Sequence, residues 1–237
     1  MSLEINNLKK SYTGKIIFNG INISIKEKKI NCLLGVSGIG KTTLLNAICG
    51  LIPIDSGDIS DFKDKSFSFI FQEPRILKWK TVYGNINFVL KGIYSKKEAE
   101  AITKKYISLV GLSEYAGYYP YQISGGMQQR ISIARAFAYP SEILIMDEPF
   151  KSLDFKLKTN LMKSFINLWT QDKRTVIFVT HDLDEAVCLG DNVFILDELM
   201  PSFIKKEICI VLPQNDRLSD HSILSKIKIE LADSLNI

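Results

Sequence analysis

GVSGIGKT, residues 35–42, is the stretch that decides the fold of this chain. It matches the pattern GxxxxGK[ST] of a phosphate-binding loop. An apolar, β-branched run at 30–34 predicts a strand before it, and residues 42–49, ended by Gly50, predict a helix after it. This strand–loop–helix context is the one that the pattern requires, so we expect a loop that holds a nucleotide.

Each residue type in the loop has a physical role toward a triphosphate. Glycines let the backbone wrap tightly, so that successive N–H groups point at phosphate oxygens, and the helix N-terminus adds partial positive charge. Lys41 supplies a full charge to the β- and γ-phosphates, and the Thr42 hydroxyl can bind Mg²⁺. We predict that these residues contact the nucleotide: Gly35, Val36, Ser37, Gly38, Ile39, Gly40, Lys41, Thr42 and Thr43.

Two adjacent carboxylates follow another apolar strand, predicted at 143–146. A strand buried on both faces has this composition, and ligands of an open α/β sheet lie at the carboxyl ends of its strands. Asp147 would hold Mg²⁺, mostly through water, and Glu148 would act as general base on the attacking water. Paired acids also occur in ordinary turns and helix caps, so this assignment depends on the phosphate loop.

Two further strands end in polar residues. The strand predicted at 67–71 precedes Gln72, which could reach the metal or the attacking water. The strand predicted at 176–180 precedes His181, which could donate a hydrogen bond to the γ-phosphate. Each would be an ordinary surface residue if it stood alone, and the prediction for both follows from the neighbouring motifs.

The order of elements predicts an α/β fold of the P-loop NTPase type with a mostly parallel central sheet. Early strands at 3–8 and 21–25 lack intervening helices and predict an antiparallel β edge, and the last strands fall at 193–196 and 203–212. Residues 73–139 show helical patterns only, including a capping box at Ser95–Glu98. We predict one domain, with a core of residues 1–72 and 140–237 interrupted by a helical subdomain, and a final helix at 222–235.

Composition narrows the class of protein. Net charge is +4, from 30 basic and 26 acidic residues, and the lysines are scattered, which is typical of a solvated surface and not of a nucleic-acid patch. No apolar run approaches the roughly 18–20 residues needed to cross a bilayer, and the N-terminus lacks the pattern of a secretory signal. We therefore expect any membrane role to come through a partner.

The stretch ISGGMQQR, residues 123–130, resembles the LSGGQ-type signature of ABC ATPases. This resemblance, which covers nearly the whole chain, implies a head-to-tail homodimer in which each ATP lies between the phosphate loop of one subunit and the signature of the other. It also implies that Tyr12 stacks on adenine and that Ser152-Leu153-Asp154 forms the loop that contacts the opposite site. The signature residues implied to bind the nucleotide are Ser124, Gly125, Gly126 and Gln128.

Within that family, residues 72–79 and 147–150 are most similar to importers of nitrate, sulfonates, taurine and bicarbonate. The resemblance implies two such subunits on the cytoplasmic face of a membrane, two transmembrane permease subunits, and indirectly a substrate-binding protein. It implies that residues 72–84 form the groove that receives a permease helix. Lys151-Ser152 departs from the more usual Gly-Ala, and we assign no catalytic role to this departure.

Three alternatives remain open at this level. A soluble ABC ATPase of DNA repair would carry long coiled coils, and one of translation would join two cassettes, and neither pattern occurs here. An exporter ATPase is disfavoured only by the importer-like segment. A scaffold that binds nucleotide without hydrolysis is disfavoured by the presence of Asp147, Glu148 and His181.

Overall fold

The computed structural model describes residues 1–151, 153–197, 199–218, 224–225, 227–229 and 231–232. Its strands are β1 (Ser2–Tyr12), β2 (Lys15–Lys26), β3 (Ile30–Leu34), β4 (Ser56–Asp58), β5 (Phe67–Phe71), β6 (Ile143–Asp147), β7 (Thr175–Thr180), β8 (Asn192–Leu196) and β9 (Ile204–Cys209). Its α-helices are α1 (Lys41–Ile48), α2 (Val82–Asn87), α3 (Lys96–Leu109), α4 (Gly125–Ala138), α5 (Phe155–Asp172), α6 (Leu183–Leu189) and α7 (Gln214–Arg217).

The central sheet has six strands in the order β5-β6-β7-β3-β8-β9, and only β9 runs antiparallel to its neighbour. Every residue of β3, β7 and β8 is buried, because helices cover one face of the sheet and α1 with the strands β1 and β2 covers the other. The mostly parallel α/β fold predicted from the sequence is confirmed. The predicted last strand is β9, which is shorter than expected.

The early strands form the predicted antiparallel part of the fold, which is a sheet separate from the central one. Its order is β2-β1-β4, all antiparallel, and a tight turn at Thr13 and Gly14, with φ of 43° and 83°, joins the first two strands. The observed strands are longer than predicted, and β4 was missed because its three residues, Ser56–Asp58, are all exposed and show no apolar pattern. The sheet shares its core with α1, which carries the phosphate loop.

Residues 73–139 contain α2, α3 and α4 and no β-strand, as the sequence predicts. The capping box at the start of α3 is present: Ser95 N–H donates to Glu98 Oε2 at 3.0 Å, and Glu98 N–H donates to Ser95 Oγ at 3.4 Å. Val82 and Ile107 from this segment are fully buried in one core with Ile131 of α4. The helical segment therefore continues the main hydrophobic core.

Arg174, just before β7, fastens α4 to the central sheet. Its guanidinium donates to the carbonyl oxygens of Phe137 (3.0 Å) and Tyr139 (2.9 Å) at the C-terminal end of the helix. It also donates to Asp172 and to Ser141 Oγ at 3.0 Å. A buried cation thus supports the C-terminus of α4, where it also complements the helix dipole.

In the described part of the chain, no helix combines the length and the apolar character needed to cross a bilayer. The predicted final helix, 222–235, lies partly outside the described residues. Its described positions, 224–225, 227–229 and 231–232, are helical.

Candidate active site

Four strands of the central sheet end in register at one edge. Phe71 of β5 pairs with Asp147 of β6, and Asp147 pairs with Val179 of β7. Thr180, the next residue of β7, pairs with Leu34 of β3. The residues that follow these positions therefore meet at the same edge, and they are the predicted ones: Gly35, Gln72, Glu148 and His181.

The phosphate loop lies against β2 with almost no spare room. Gly40 has φ of 108°, and a Cβ there would lie 2.6 Å from Ile17 Cγ2 and 2.9 Å from the Phe18 ring. Only glycine fits such a conformation and such a contact. Beside the loop is an open cleft of about 180 Å³, lined by Ile17, Gly38, Gly40, Lys41, Thr42, Thr43 and Glu148.

Lys41 is held in place by contacts with the phosphate loop itself. Its side chain is only 5% exposed, and the ammonium donates to the carbonyl oxygens of Gly35 at 2.6 Å and Val36 at 2.9 Å. Burial lowers the pKa of Lys41, and the charge of Lys151 lowers it further, whereas Glu148 and Asp147 oppose both effects. The lysine is thus a fixed cation at the first turn of α1.

Beside the Lys41 ammonium, the Thr42 hydroxyl and the Asp147 carboxylate form a pair whose polar atoms are all oxygens. Thr42 Oγ1 donates to the Asp147 carboxylate, 3.2 and 3.3 Å from its two oxygens. Burial raises the pKa of Asp147, the charge of Glu148 adds to this, and the Thr42 hydrogen bond counteracts both. The described residues contain no group of three or more His, Cys, Asp or Glu that would form a metal cage. A hydroxyl and one carboxylate fit Mg²⁺, which usually completes its shell with water and phosphate oxygens.

Glu148 lies between two lysine side chains and the ring of His181. One carboxylate oxygen, Oε2, lies 2.6 Å from Lys151 Nζ and 3.4 Å from His181 Nδ1, and Oε1 lies 3.9 Å from Lys41 Nζ. Burial raises the pKa of Glu148, but the Lys151 hydrogen bond and the nearby positive charges outweigh burial, and the pKa falls below its usual value. The side chain is therefore an ionised carboxylate at neutral pH, as a general base requires. The sequence assigned no role to Lys151, and the structure places it in this cluster.

A buried network holds the backbone on both sides of His181, whose ring is itself exposed. Thr180 Oγ1 donates to Glu185 Oε2 at 2.7 Å and accepts from Asp182 N–H at 3.0 Å. Lys158 of α5 pairs with Asp182 and lies 3.4 Å from Glu185 Oε1. Burial and the charge of Asp182 raise the pKa of Glu185 to about 7, although Thr180 and Lys158 act against them. Sequence reasoning missed this network.

The signature segment begins α4. Ser124 is the N-cap, and its Oγ accepts from Met127 N–H at 3.3 Å. A Cβ on Gly125 would meet nothing within 4 Å, whereas one on Gly126 would lie 2.6 Å from Leu157 Cδ1. Gln128 donates to Pro120 O at 2.9 Å, within its own segment. Among the described residues, no hydrogen bond or ion pair joins this segment to the phosphate loop.

Gln129 connects α4 with two of the strand ends, and sequence analysis did not select it. Its side-chain amide is buried and donates to Pro149 O at 2.7 Å and to Phe71 O at 3.4 Å. The signal that could have found it is a polar residue on the apolar face of a helix, because Ser132 and Ile133, three and four positions later, are also buried.

The remaining predicted residues lie at the surface. Tyr12 ends β1 with an exposed ring, and Lys10 Nζ lies 4.9 Å from its centre. Gln72 follows β5 and is exposed. Asp154 is the N-cap of α5, and its Oδ1 accepts from Leu157 N–H at 3.0 Å. Ser152, predicted as part of the same loop, lies outside the described residues.

Comparison with known proteins agrees with this arrangement. A protein-family model described as ABC transporter matches residues 18–151. An uncharacterised ABC transporter ATP-binding protein of Methanocaldococcus jannaschii is 39% identical, over 99% of this chain and 94% of the relative. The taurine import ATP-binding protein of Rhizobium johnstonii is 38% identical over 74% of this chain and 70% of its own. The nitrate import ATP-binding protein of a Synechocystis strain is 35% identical over 91% and 85%.

A solved structure extends the likeness to the fold. A dimeric ATP-binding cassette in a post-hydrolysis state, bound to ADP and phosphate, superposes with a TM-score of 0.71 and 27% identity. The match covers 88% of this chain and 98% of that chain.

Proposed function

The chain belongs to the ABC transporter family, and from that premise we propose that it is the ATP-hydrolysing subunit that drives import of a small anion through a separate membrane permease. The observation that carries the proposal is the cluster at the sheet edge. Lys41, Thr42, Asp147, Glu148 and His181 occupy one edge, with the contacts that phosphate binding and water activation need. Hydrolysis of ATP is the activity of this family, and these residues carry it here.

In the proposed reaction, each group has one task. Lys41 and the N–H groups of the loop hold the β- and γ-phosphates. Mg²⁺, bound by Thr42 and Asp147, would neutralise charge on the phosphate oxygens. Glu148 accepts a proton from the water that attacks the γ-phosphate, and His181 donates a hydrogen bond to that phosphate. ADP and inorganic phosphate are the products, and Gln72, which follows β5, would contact the water or the metal.

We further propose that the working unit is a head-to-tail homodimer. Ser124 and Gly125 are exposed at the N-terminus of α4, and helix N-termini attract phosphate. No described contact brings this terminus to the phosphate loop of its own chain, so a second copy is the natural source of the ATP. The likeness to a dimeric cassette supports this arrangement. Gly126 and Gln128 would shape the same face, Tyr12 would stack on adenine, and Asp154 would contact the opposite site.

The membrane partner would bind the helical subdomain, residues 73–139. Its entry segment exposes Trp79, which is 72% accessible, beside Lys78 and Lys80, and an apolar residue rimmed by charge is typical of docking surfaces. The relatives named for nitrate and taurine import support import of a small anion such as nitrate, taurine or a sulfonate. A substrate-binding protein would deliver the anion, and this subunit would sit on the cytoplasmic face of the membrane.

The test separates ATP binding from dimer formation. In a Glu148→Gln background, which removes the base, ATP should convert monomer to dimer in sedimentation experiments. Lys41→Ala should weaken ATP binding by roughly 30-fold or more, because it removes the fixed charge. Gly125→Glu should leave monomer binding of a fluorescent ATP analogue within about twofold and abolish the ATP-dependent dimer, because the new carboxylate would face the triphosphate of the second copy.

Gly125→Ala is the matched control, since it adds a side chain without charge at an open position. If Gly125→Glu still forms the ATP-dependent dimer, the head-to-tail arrangement is wrong. If it loses ATP affinity as strongly as Lys41→Ala, the signature acts on its own chain.

Import is tested separately, by uptake of labelled nitrate, taurine and an aliphatic sulfonate in the host cell. Loss of the chain should abolish uptake of one of these anions. The wild-type chain should restore it and the Glu148→Gln chain should not. Unchanged uptake of all three anions would contradict the assignment of substrate class.

A further inference from the structure

We propose that Lys151 is a positioning residue that restrains hydrolysis, because its ammonium pairs with the carboxylate of Glu148. This inference rests on the assignment of Glu148 as general base and extends it to a residue outside the phosphate loop and the other motifs. Lys151 touches neither nucleotide nor water in the proposed reaction, and it would act only through Glu148.

The contact is short and local. Lys151 Nζ lies 2.6 Å from Glu148 Oε2, and Lys151 N–H donates to Glu148 O at 3.2 Å, so the two residues close one turn after β6. Glu148 has φ of 44°, a left-handed conformation that this turn holds in place. Its side chain is 13% exposed, so the ammonium meets a largely desolvated carboxylate. The pair is therefore stronger than one between two surface residues.

The contact competes with the task of the base. Oε2 lies 2.6 Å from Lys151 Nζ and 3.4 Å from His181 Nδ1, and Oε1 faces Lys41. An attacking water needs one carboxylate oxygen as its proton acceptor, so the ammonium must yield or share its place. An oxygen that is in contact with an ammonium leaves less room for a water as a second donor. While the pair is formed, the lysine thus holds Glu148 away from its working state.

The lysine can also leave. Its side chain is 36% exposed, and no element of the described structure covers the ammonium as Gly35 and Val36 cover that of Lys41. With nucleotide bound, the base is free only in those molecules in which the ammonium has left Glu148. The pair therefore slows turnover without abolishing it, and removal of the ammonium should raise kcat.

The experiment replaces Lys151 with methionine, which keeps the length of the side chain and removes the charge. Steady-state ATP hydrolysis by the purified full chain should show kcat raised about threefold to tenfold, the effect of one partly exposed ion pair. KM for ATP should change less than twofold. Lys151→Arg should stay within about twofold of wild type, because the guanidinium can make the same contact. Lys156→Met, an exposed lysine at the start of α5, is the matched control and should change neither constant.

Two further variants keep the outcomes distinct. In a Glu148→Gln chain, Lys151→Met should give no increase, because there is no carboxylate to release. If Glu148→Gln alone retains normal turnover, the base assignment fails and not only this inference. If Glu148→Gln is inactive and Lys151→Met leaves kcat unchanged or lowers it, the inference is overturned, and a lowered kcat with rescue by arginine would show that the lysine assists the base.

Discussion

The strand-end cluster (Lys41, Thr42, Asp147, Glu148 and His181) and the signature segment (residues 123–130) differ in how many of their polar groups find partners within this chain. In the cluster, Lys41 has two carbonyl acceptors, Thr42 donates to Asp147, and Glu148 is surrounded by cations. In the signature segment, the Ser124 hydroxyl caps its own helix and Gly125 faces open space. The chemical groups are thus assembled within one chain, whereas the face that would close over a triphosphate is left without a partner.

The two parts of the site depend on different elements of the fold. The cluster is set by strand register and by the phosphate loop that leads from β3 into α1. The position of the signature follows from that of α4, which is fixed at two points beyond its N-terminus. The side chain of Gln129, within the helix, donates to Pro149 O, and Arg174 donates to carbonyl oxygens at the C-terminus of the helix. Changes in the cluster should therefore alter chemistry, and changes at these anchors should alter stability and the presentation of the signature.

The largest expected effect is that of Glu148→Gln, which should remove the chemical activity of the strand-end cluster. Glutamine keeps the shape of the side chain and cannot accept the proton, so kcat should fall by about 10²–10³-fold. ATP affinity should stay within about threefold, because Lys41 keeps its carbonyl contacts. Phosphate release under saturating ATP measures the first and equilibrium binding the second. Turnover above a tenth of the wild-type rate would show that another group takes the proton.

Arg174→Met should weaken the attachment of α4, the helix that begins in the signature segment, to the central sheet. Buried carbonyl oxygens at the end of α4 would lose a charged donor, and Asp172 would lose its partner, so the free energy of unfolding should fall by about 2–4 kcal/mol. Urea denaturation measures this. Lys163→Met, an exposed change on α5, should cost less than about 0.5 kcal/mol. Equal stability of both variants would mean that α4 is held by apolar packing alone.

Glu185 tests whether the network beneath His181 carries a cost. Its pKa of about 7 in the folded chain lies above the ordinary 4.5, so the folded state binds the proton more tightly than the unfolded state. Stability should therefore fall as pH rises from about 5 to 8, relative to Glu185→Gln, by roughly 3 kcal/mol at most. Denaturation of both proteins across that range measures the difference. Parallel curves would show that Lys158 fully compensates the buried charge.

Much of the site could be predicted because parallel strands end at a common edge. Gly35, Gln72, Glu148 and His181 each follow an apolar run, and the rule that ligands bind at strand carboxyl ends predicts that they meet. The contacts of Lys151 and Lys158 could not be predicted. The first depends on the turn that Glu148 makes with positive φ, and the second on how α5 packs beside α6. Neither leaves a periodic pattern in the sequence.

The smallest expected effects are those of the two signature glycines. Their variants should distinguish the stability of the subunit from the stability of the dimer. Gly126→Ala puts a methyl group against Leu157, which must shift, so overpacking outweighs the better helix propensity and the free energy of unfolding should fall by about 1 kcal/mol. Gly125→Ala meets open space and should leave the free energy of unfolding within about 0.5 kcal/mol of wild type.

Assembly should show the opposite order. In the Glu148→Gln background, Gly125→Ala adds its methyl group to the face that we propose meets the second copy, so the ATP-dependent dimer should dissociate about threefold to tenfold more readily. Gly126→Ala points inward and should weaken the dimer less than Gly125→Ala does. Sedimentation at several protein concentrations measures the dimer, and urea denaturation measures the subunit. If both variants change only the free energy of unfolding, or both change only the dissociation of the dimer, the exposed and buried sides of the signature are not functionally distinct. The contrast between a cluster completed within one chain and a signature that needs a second copy would then be wrong.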